Sequence, residues 1–389
     1  STQEVIDFLW DSYLSKITRH RNISAEAITS YINNYATLLD QTENGPAELA
    51  LELGLIDGLV TSAEWRSEMQ AISGESGDTF EHVVYRSYLR SMRLPIAEPN
   101  PAADKIAVIT AKGTILDGEQ PAGEVGGDTI AKLIRTARNS KNVKAIVLRV
   151  DSPGGSAAAS ELIRTELVAA QESGKPVVAS MGGYAASGGY WISSTANKIF
   201  ASETTITGSI GVFTIFPTFE RSLDYLGVHS DGIGTTSLSG AMNNFKEINP
   251  VFKRVLQNSV NQTYNKFLAL VSEGRGLSIE EADSVAQGRV WSGSRALEHG
   301  LIDGIGDVNI AIESAAVLAG LTDYDVVYME KELSARELFL RQVLQSAVSI
   351  LPPVQTGLFP AIPAELKTLT QMVRSPSIYL QCTNCKITF

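Results

Sequence analysis

The chain has 389 residues, 32 of them Lys or Arg and 43 Asp or Glu, for a formal net charge of −11. At about 100–200 residues per domain this length predicts two or three domains, and 44% apolar with 19% charged residues excludes a disordered chain. The acidic balance argues against a nucleic-acid partner, because phosphate contacts need Lys and Arg.

Segment by segment, several other classes drop out. No run of about 18 uninterrupted apolar residues occurs, so no membrane-spanning helix is expected. The late apolar stretch from Ala347 to Phe359 is broken by Pro352 and Pro353. The first ten residues carry Glu4 and Asp7 and no basic region, unlike a signal peptide. A start at Ser1 without Met suggests processing or trimming. Two cysteines, Cys382 and Cys385, exclude a disulfide framework and a four-cysteine zinc site. The histidines (His20, His82, His229, His299) lack ligand spacing, so neither a metal nor another cofactor is expected.

In chain order, the first feature is half of an internal repeat. RNISAEAITS at 21–30 returns as RGLSIEEADS at 275–284, and ALELGLIDG at 50–58 returns as ALEHGLIDG at 296–304. The offsets of 254 and 246 residues are too long for a solenoid and fit a duplicated domain. About 170 residues, starting near Lys105, precede the second copy's Arg275, but only twenty precede Arg21. The expectation is a tandem protein whose first copy is incomplete here. Residues 1–92 are its mostly helical remainder, 104–325 the complete copy, and 326–389 a helical or loop extension.

The complete copy reads as an α/β unit. Strands are expected at 105–110, 143–150, 176–181 and 198–201, and helices at 128–138, 156–173 and 188–196. Residues 250–320 read as helical, and the chain from 330 on reads as peripheral.

Two glycine-rich turns follow neighbouring strands. The first is Asp151-Ser152-Pro153-Gly154-Gly155-Ser156, with Ser156 as a helix N-cap. Its backbone N–H groups can bind an oxyanion, or the glycines can serve the turn alone. The second is Met181-Gly182-Gly183-Tyr184-Ala185-Ala186-Ser187-Gly188-Gly189-Tyr190. Ser187 among small residues, with the Gly188 N–H beside it, has what a serine nucleophile needs; helix packing on small residues is the plainer alternative. Both turns lie at carboxyl ends of strands, where α/β sheets form clefts. Ser209 in Thr205–Val212 can orient a catalytic group or simply make a turn. His229 and Lys246 are the nearby candidates for a base, and neither sits in a signature.

DSPGGS at 151–156, MGGYAASGGYWIS at 181–193 and TGSIGVF at 207–213 together resemble the signal peptide peptidase A (protease IV) family, in its long tandem-domain Gram-negative form. The resemblance implies a Clp protease/crotonase-like fold of stacked β-β-α units. It implies a serine protease with a Ser–Lys dyad that degrades cleaved signal peptides and other apolar peptides. It implies a homotetramer at the periplasmic side of the bacterial cytoplasmic membrane, with the membrane anchor outside this chain. Ser187 matches the nucleophile, Gly154 or Gly155 with Gly188 the oxyanion hole, and Ser209 a serine that holds the lysine ammonium. In the long form the lysine lies in the first domain, upstream of the part present here. The stretch matching the lysine position of the short form, TTSLSGA at 235–241, has none, which leaves Lys246 as the fallback and this chain alone expected to be weak or inactive. An acyl-CoA enzyme of the crotonase type, a Ser–His protease using His229, and a scaffold whose glycines serve packing are the alternatives. Cys382 and Cys385 are compatible with a disulfide or with free thiols, but the βαβ setting of a redox motif is missing.

Overall fold

The computed structural model describes residues 2–35, 37–38, 46–76, 79–83, 85, 88, 103–121, 124–233, 238–330 and 379–381. The chain divides into two units, residues 3–101 and residues 102–389 together with 1–2.

The first unit is built from helices α1 (Thr2–Arg21), α2 (Ala25–Asn33), α3 (Pro46–Glu52) and α4 (Ser62–Ser73), followed by a hairpin of β1 (Glu75–Ser76) and β2 (Thr79–Phe80). Capping sets the helix starts. Ser24 accepts the Ala27 N–H ahead of α2. Thr61 and Glu64 exchange side-chain and backbone bonds as a capping box ahead of α4.

The second unit is an α/β domain. Its main sheet takes β3 (Lys105–Lys112), β6 (Val143–Ser152), β8 (Val177–Ala186), β9 (Lys198–Ala201), β10 (Ile206–Gly208), β11 (Val290–Ser292), β12 (Gly304–Ile305) and β13 (Asp325–Met329). The order along the main path is β11-β10-β8-β6-β3-β13, with β9 paired to β8 and β12 to β9. All pairings are parallel except β10 with β11. A smaller sheet holds β4 (Ile115–Leu116), β5 (Val125–Gly126), β7 (Gly154–Ser156) and β14 (Tyr379–Gln381), in the order β14-β7-β4-β5.

The expected β-β-α alternation is visible in the element order. A main-sheet strand is followed by small-sheet strands and a helix: β3, β4, β5 and α5 (Gly127–Asn139), then β6, β7 and α6 (Ala157–Glu172). Next come β8, α7 (Gly188–Ser193), α8 (Glu220–Tyr225), α9 (Pro250–Arg275), α10 (Ile279–Val285), α11 (Gly293–Glu298) and α12 (Val308–Leu318).

The near-continuous apolar strands are explained by burial on both faces. Ala107, Ile109, Ile146 and Leu148 face one core with α5, α6, α7 and α9. Their neighbours Ile106, Val108, Ala145 and Val147 face the other, against Ala311, Ile312, Ala315 and Ala316 of α12. Each fully buried Ile or Leu contributes about 1.5–3 kcal/mol.

The strand after the second glycine-rich turn's start runs further than expected: β8 continues through Gly182 and Gly183 to Ala186. The stretch 250–320 is not wholly helical. Val290–Ser292 pairs antiparallel with β10, and Gly304–Ile305 pairs with β9. Strand β13 lies where the sequence offered no element. Cys382, Cys385 and most of the expected extension 326–389 lie outside the described residues.

Candidate active site

Strand β8 delivers the chain to Ser187, where the backbone turns sharply into α7. Ser187 has φ 54 and ψ −114. Holding a residue with a Cβ there costs on the order of 1–3 kcal/mol, so the surroundings must enforce it. They do so from both sides. The Ser187 N–H donates to the Gly208 carbonyl at 2.8 Å, and the Trp191 N–H donates to the Ser187 carbonyl at 2.8 Å. Ser187 stands at the N-cap of α7, yet its hydroxyl makes no capping bond. Among the described residues its hydrogen-bond contact is the Gly211 carbonyl at 3.5 Å. Gly188 is the first residue of α7, a position whose N–H no carbonyl of the same helix can reach. Gly189 is required by packing: a Cβ there would lie 2.6 Å from the Ser152 carbonyl oxygen.

The first glycine-rich turn is β7. Gly155 has φ +154, and a Cβ on it would lie 1.9 Å from the Ile115 carbonyl oxygen, so the strand accepts only glycine there. The Gly154 N–H donates to Ser152 Oγ at 3.2 Å. Ser156 caps α6 by accepting the Ala159 N–H at 3.2 Å, and its own hydroxyl donates to Asp117 Oδ1 at 2.5 Å. The motif's glycines and its serine thus hold the end of β6, the small sheet and α6 in one arrangement.

Register brings Ser209 to the same edge. Strand β10 pairs with β8 in parallel, Gly208 opposite Ala186, so Ser209 follows alongside Ser187. Ser209 is buried, with φ 49, and its N–H donates to the Arg289 carbonyl at 2.7 Å. The buried hydroxyls of Thr205 and Thr207 donate to the carbonyls of Gly182 and Ala185, each at 2.7 Å, and tie β10 to β8.

Four residues past Ser187, Trp191 meets a charged cluster. Glu161 of α6 accepts from Trp191 Nε1 at 2.9 Å and from Arg164 at 2.8 Å, and it pairs with Lys266 of α9 at 2.9 Å. Burial alone would raise the Glu161 carboxyl, but the bonds from Arg164, Lys266 and Trp191 outweigh it and hold it down at about 2. A fixed anion therefore joins α6 and α9 to the helix that follows Ser187. Tyr190, next to Trp191, is fully buried and donates to the Leu301 carbonyl at 2.7 Å. Burial pushes its hydroxyl up well above the usual range.

The sequence pattern of peptidase family S49 matches residues 169–322. The chain is 37% identical to Protease 4 of Haemophilus influenzae, over 97% of this chain and 63% of that protein. It is 40% identical to Protease 4 of Salmonella typhi, over 91% of this chain and 56% of that protein. It is also 31% identical to a candidate signal peptide peptidase SppA of Enterococcus faecium, over 59% of this chain and 68% of that protein. The chain belongs to peptidase family S49.

Of the two Protease 4 relatives, this S49 chain spans 63% and 56% of the length. The matched stretch contains Ser187, Gly188 and Ser209, while Gly154 and Gly155 lie ahead of it. The two candidate bases sit elsewhere. His229 Nδ1 lies 3.3 Å from Asp224, with 74% of the histidine side chain exposed. Lys246 Nζ lies 3.9 Å from Asp231 Oδ1. No hydrogen bond or ion pair among the described residues joins either to Ser187. Residues 235–237 of the TTSLSGA stretch lie outside the described residues. Among the described residues, no group of three or more His, Cys, Asp or Glu is placed to hold a metal, and no helix is long and apolar enough to cross a membrane.

The sequence reading passed over Glu161, Thr205, Thr207 and Asp117. Glu161 had no local signal, since its partners Trp191 and Lys266 are 30 and 105 positions away. Thr207 lay inside a motif already singled out for its serine.

Proposed function

We propose that this S49 chain carries the nucleophile-bearing part of a serine endopeptidase that cleaves apolar peptides, cleaved signal peptides among them. The observation that carries the reading is Ser187. It is held at φ 54 between a strand and a helix, with a hydroxyl that caps nothing and the N–H of Gly188 beside it. Backbone at that angle is enforced rather than preferred, and such enforcement is concentrated at functional sites.

In the proposed reaction a neutral lysine amine takes the Ser187 proton as Oγ attacks the peptide carbonyl. The Gly188 N–H and a second glycine N–H hold the tetrahedral oxyanion. Gly154 or Gly155 is proposed to supply that second donor. The ammonium then protonates the leaving amine, leaving an acyl-serine. Water, deprotonated by the same amine, attacks it and releases the second product. One oxyanion donor is worth about 3–4 kcal/mol in comparable sites.

A lysine with its ordinary pKa of about 10.4 is protonated at neutral pH, so the base must be desolvated. Ser209 is proposed to orient it, from its position alongside Ser187. We assign the lysine to a part of the whole protein beyond these residues. Support comes from the Ser187 hydroxyl making its hydrogen bond to the Gly211 carbonyl and none to a described lysine, and from the greater length of the Protease 4 relatives. Lys246 is the fallback within the chain.

The tandem organisation belongs to the same reading, with residues 1–92, 104–325 and 326–389 as its parts. Its support is local: Arg21 bonds Asp57 as Arg275 bonds Asp303. Assembly as a homotetramer on the periplasmic face of the membrane completes the proposal. The exposed apolar side chains Tyr225, Leu226, Ile233, Met242 and Phe245 in one stretch are what an assembly surface needs.

The test is peptide hydrolysis by the complete protein with Ser187→Ala. Loss of at least about a thousand-fold in kcat is expected; unchanged hydrolysis would remove Ser187 from the chemistry.

A further inference from the structure

Strained backbone in the second unit gathers in one place. Among the described residues Asn22, Ser187, Ser209 and Gln287 take positive φ without being glycine, the last three at 54, 49 and 59. Backbone bonds join the segments that carry those three. The Ser187 N–H donates to the Gly208 carbonyl at 2.8 Å, and the Ser209 N–H to the Arg289 carbonyl at 2.7 Å. The Gly288 N–H donates in turn to the Ile210 carbonyl at 2.9 Å. The two backbones touch there: a Cβ on Gly211 would lie 2.9 Å from the Gly288 Cα. The loop 286–289 is therefore the wall against which Ser209 is held. Gln287, Gly288 and Arg289 are themselves exposed, so core packing does not fix their backbone.

A phenol from α9 does. Half-buried Tyr264 donates its hydroxyl to Asp283 Oδ1 of α10 at 2.5 Å and accepts the Gln287 N–H at 3.2 Å. Asp283 Oδ2 accepts from Gln287 Nε2 at 3.1 Å. Gln287 is thus gripped by backbone and by side chain, as a non-glycine residue at φ 59 requires. Burial, with the Asp283 bond added, pushes the Tyr264 hydroxyl up to about 12, so it remains a donor throughout the neutral range.

We infer that Tyr264 is a positioning residue for the hydrolysis, acting through the loop 286–289 on Ser209. The inference rests on reading Ser187 as the nucleophile and Ser209 as the group that orients the base, and adds the device that holds Ser209. Without the hydroxyl the Gln287 N–H loses its acceptor, the loop relaxes, and the Arg289 carbonyl withdraws from Ser209. Contacts to the substrate stay in place, so the loss falls on kcat.

The experiment is peptide hydrolysis by the complete protein. Tyr264→Phe keeps the ring and deletes the hydroxyl. It is expected to lower kcat about ten-fold, the size of one lost hydrogen bond, with KM unchanged. Asp283→Ala should act in the same direction, and Asp283→Asn, which keeps an acceptor, should restore kcat to within about two-fold. In a Ser209→Ala background Tyr264→Phe should cost nothing further, because residues acting as one unit are not additive. A tyrosine that merely stabilised the fold would lower kcat equally in both backgrounds. A second arm does not depend on turnover. Amide hydrogen exchange, read by mass spectrometry in peptides covering 207–212 and 285–291, is expected to quicken in Tyr264→Phe. An unchanged kcat in Tyr264→Phe, an equal loss in both backgrounds, or unchanged exchange would overturn the inference. Should Ser209→Ala alone leave kcat intact, or hydrolysis survive Ser187→Ala, the underlying reading falls, and the exchange arm still decides whether Tyr264 holds the loop.

Discussion

The two copies of the repeated motif fold alike and are buried differently. In the first, Ser24 caps α2, the Leu55 N–H bonds the Ala50 carbonyl at 2.9 Å, and Gly54 takes φ 76. In the second, Ser278 caps α10, the Leu301 N–H bonds the Ala296 carbonyl at 2.8 Å, and Gly300 takes φ 70. Each ends on an arginine–aspartate pair, Arg21 with Asp57 at 2.6 Å and Arg275 with Asp303 at 2.9 Å. The surroundings diverge from there. The Arg21 and Asp57 side chains expose 31% and 89%; those of Arg275 and Asp303 expose 8% and 17%. Asp303 also accepts the Ile199 N–H at 2.8 Å and meets Lys198, so it fastens the motif to β9. Leu301 is fully buried, while its counterpart Leu55 is half-buried. Two short motifs, of ten and nine residues, thus encode a local shape, and burial against the sheet distinguishes the second copy.

That contrast can be broken by paired substitutions. Asp303→Ala leaves the buried Arg275 guanidinium short of its partner and should destabilise the second unit by about 3 kcal/mol. Asp57→Ala should change stability by less than about 1 kcal/mol. Urea midpoints measure both, and equal losses would show that the pairs do the same work. Leu301→Ala should likewise cost about 3 kcal/mol, against about 1 kcal/mol for the half-buried Leu55→Ala.

Acid sharpens the comparison. Burial would raise the Asp303 carboxyl, but the Arg275 hydrogen bond and charge, the Ile199 N–H and Lys198 outweigh it and hold it below its usual range. Glu161 is held at about 2 against an ordinary 4.5. A folded-state value below the unfolded one stabilises above the unfolded value, and that contribution is lost as pH falls through the folded value. The Glu161 contribution should therefore fade between pH 4.5 and about 2. Glu161→Gln should flatten that part of a stability-against-pH curve; an unchanged slope would contradict the assignment. The smallest effect concerns the strained turn at Ser187. Ser187→Gly should raise stability by about 1 kcal/mol, read as a higher Tm, with activity lost.

Much of this arrangement was legible from residues close in sequence. The strand expected at 143–150 stood out because burial on both faces demands an apolar run, and it is observed as Val143–Ser152. Ser156 announced itself as an N-cap, and the two glycine-rich turns marked the edge where Ser187 lies. Partners distant in sequence stayed hidden. Val290–Ser292 is too short to signal a strand and becomes one only by pairing with Ile206–Gly208. Strand β8 was expected to stop at Met181, because glycines weaken a strand in isolation, yet it continues on the register supplied by β6 and β10. Glu161, Thr205 and Thr207 act through groups that tertiary structure alone brings near. The pairing of residues 379–381 with Gly154–Ser156 crosses more than two hundred residues and leaves no local trace.

The account stands or falls on Ser187 as the nucleophile. The most direct measurement is treatment of the complete protein with a fluorophosphonate, followed by peptide mass mapping of the adduct. The account predicts one phosphonylated residue, Ser187, with peptide hydrolysis lost in proportion as that adduct forms. An adduct on a different residue, or full hydrolysis with Ser187 unmodified, would contradict it.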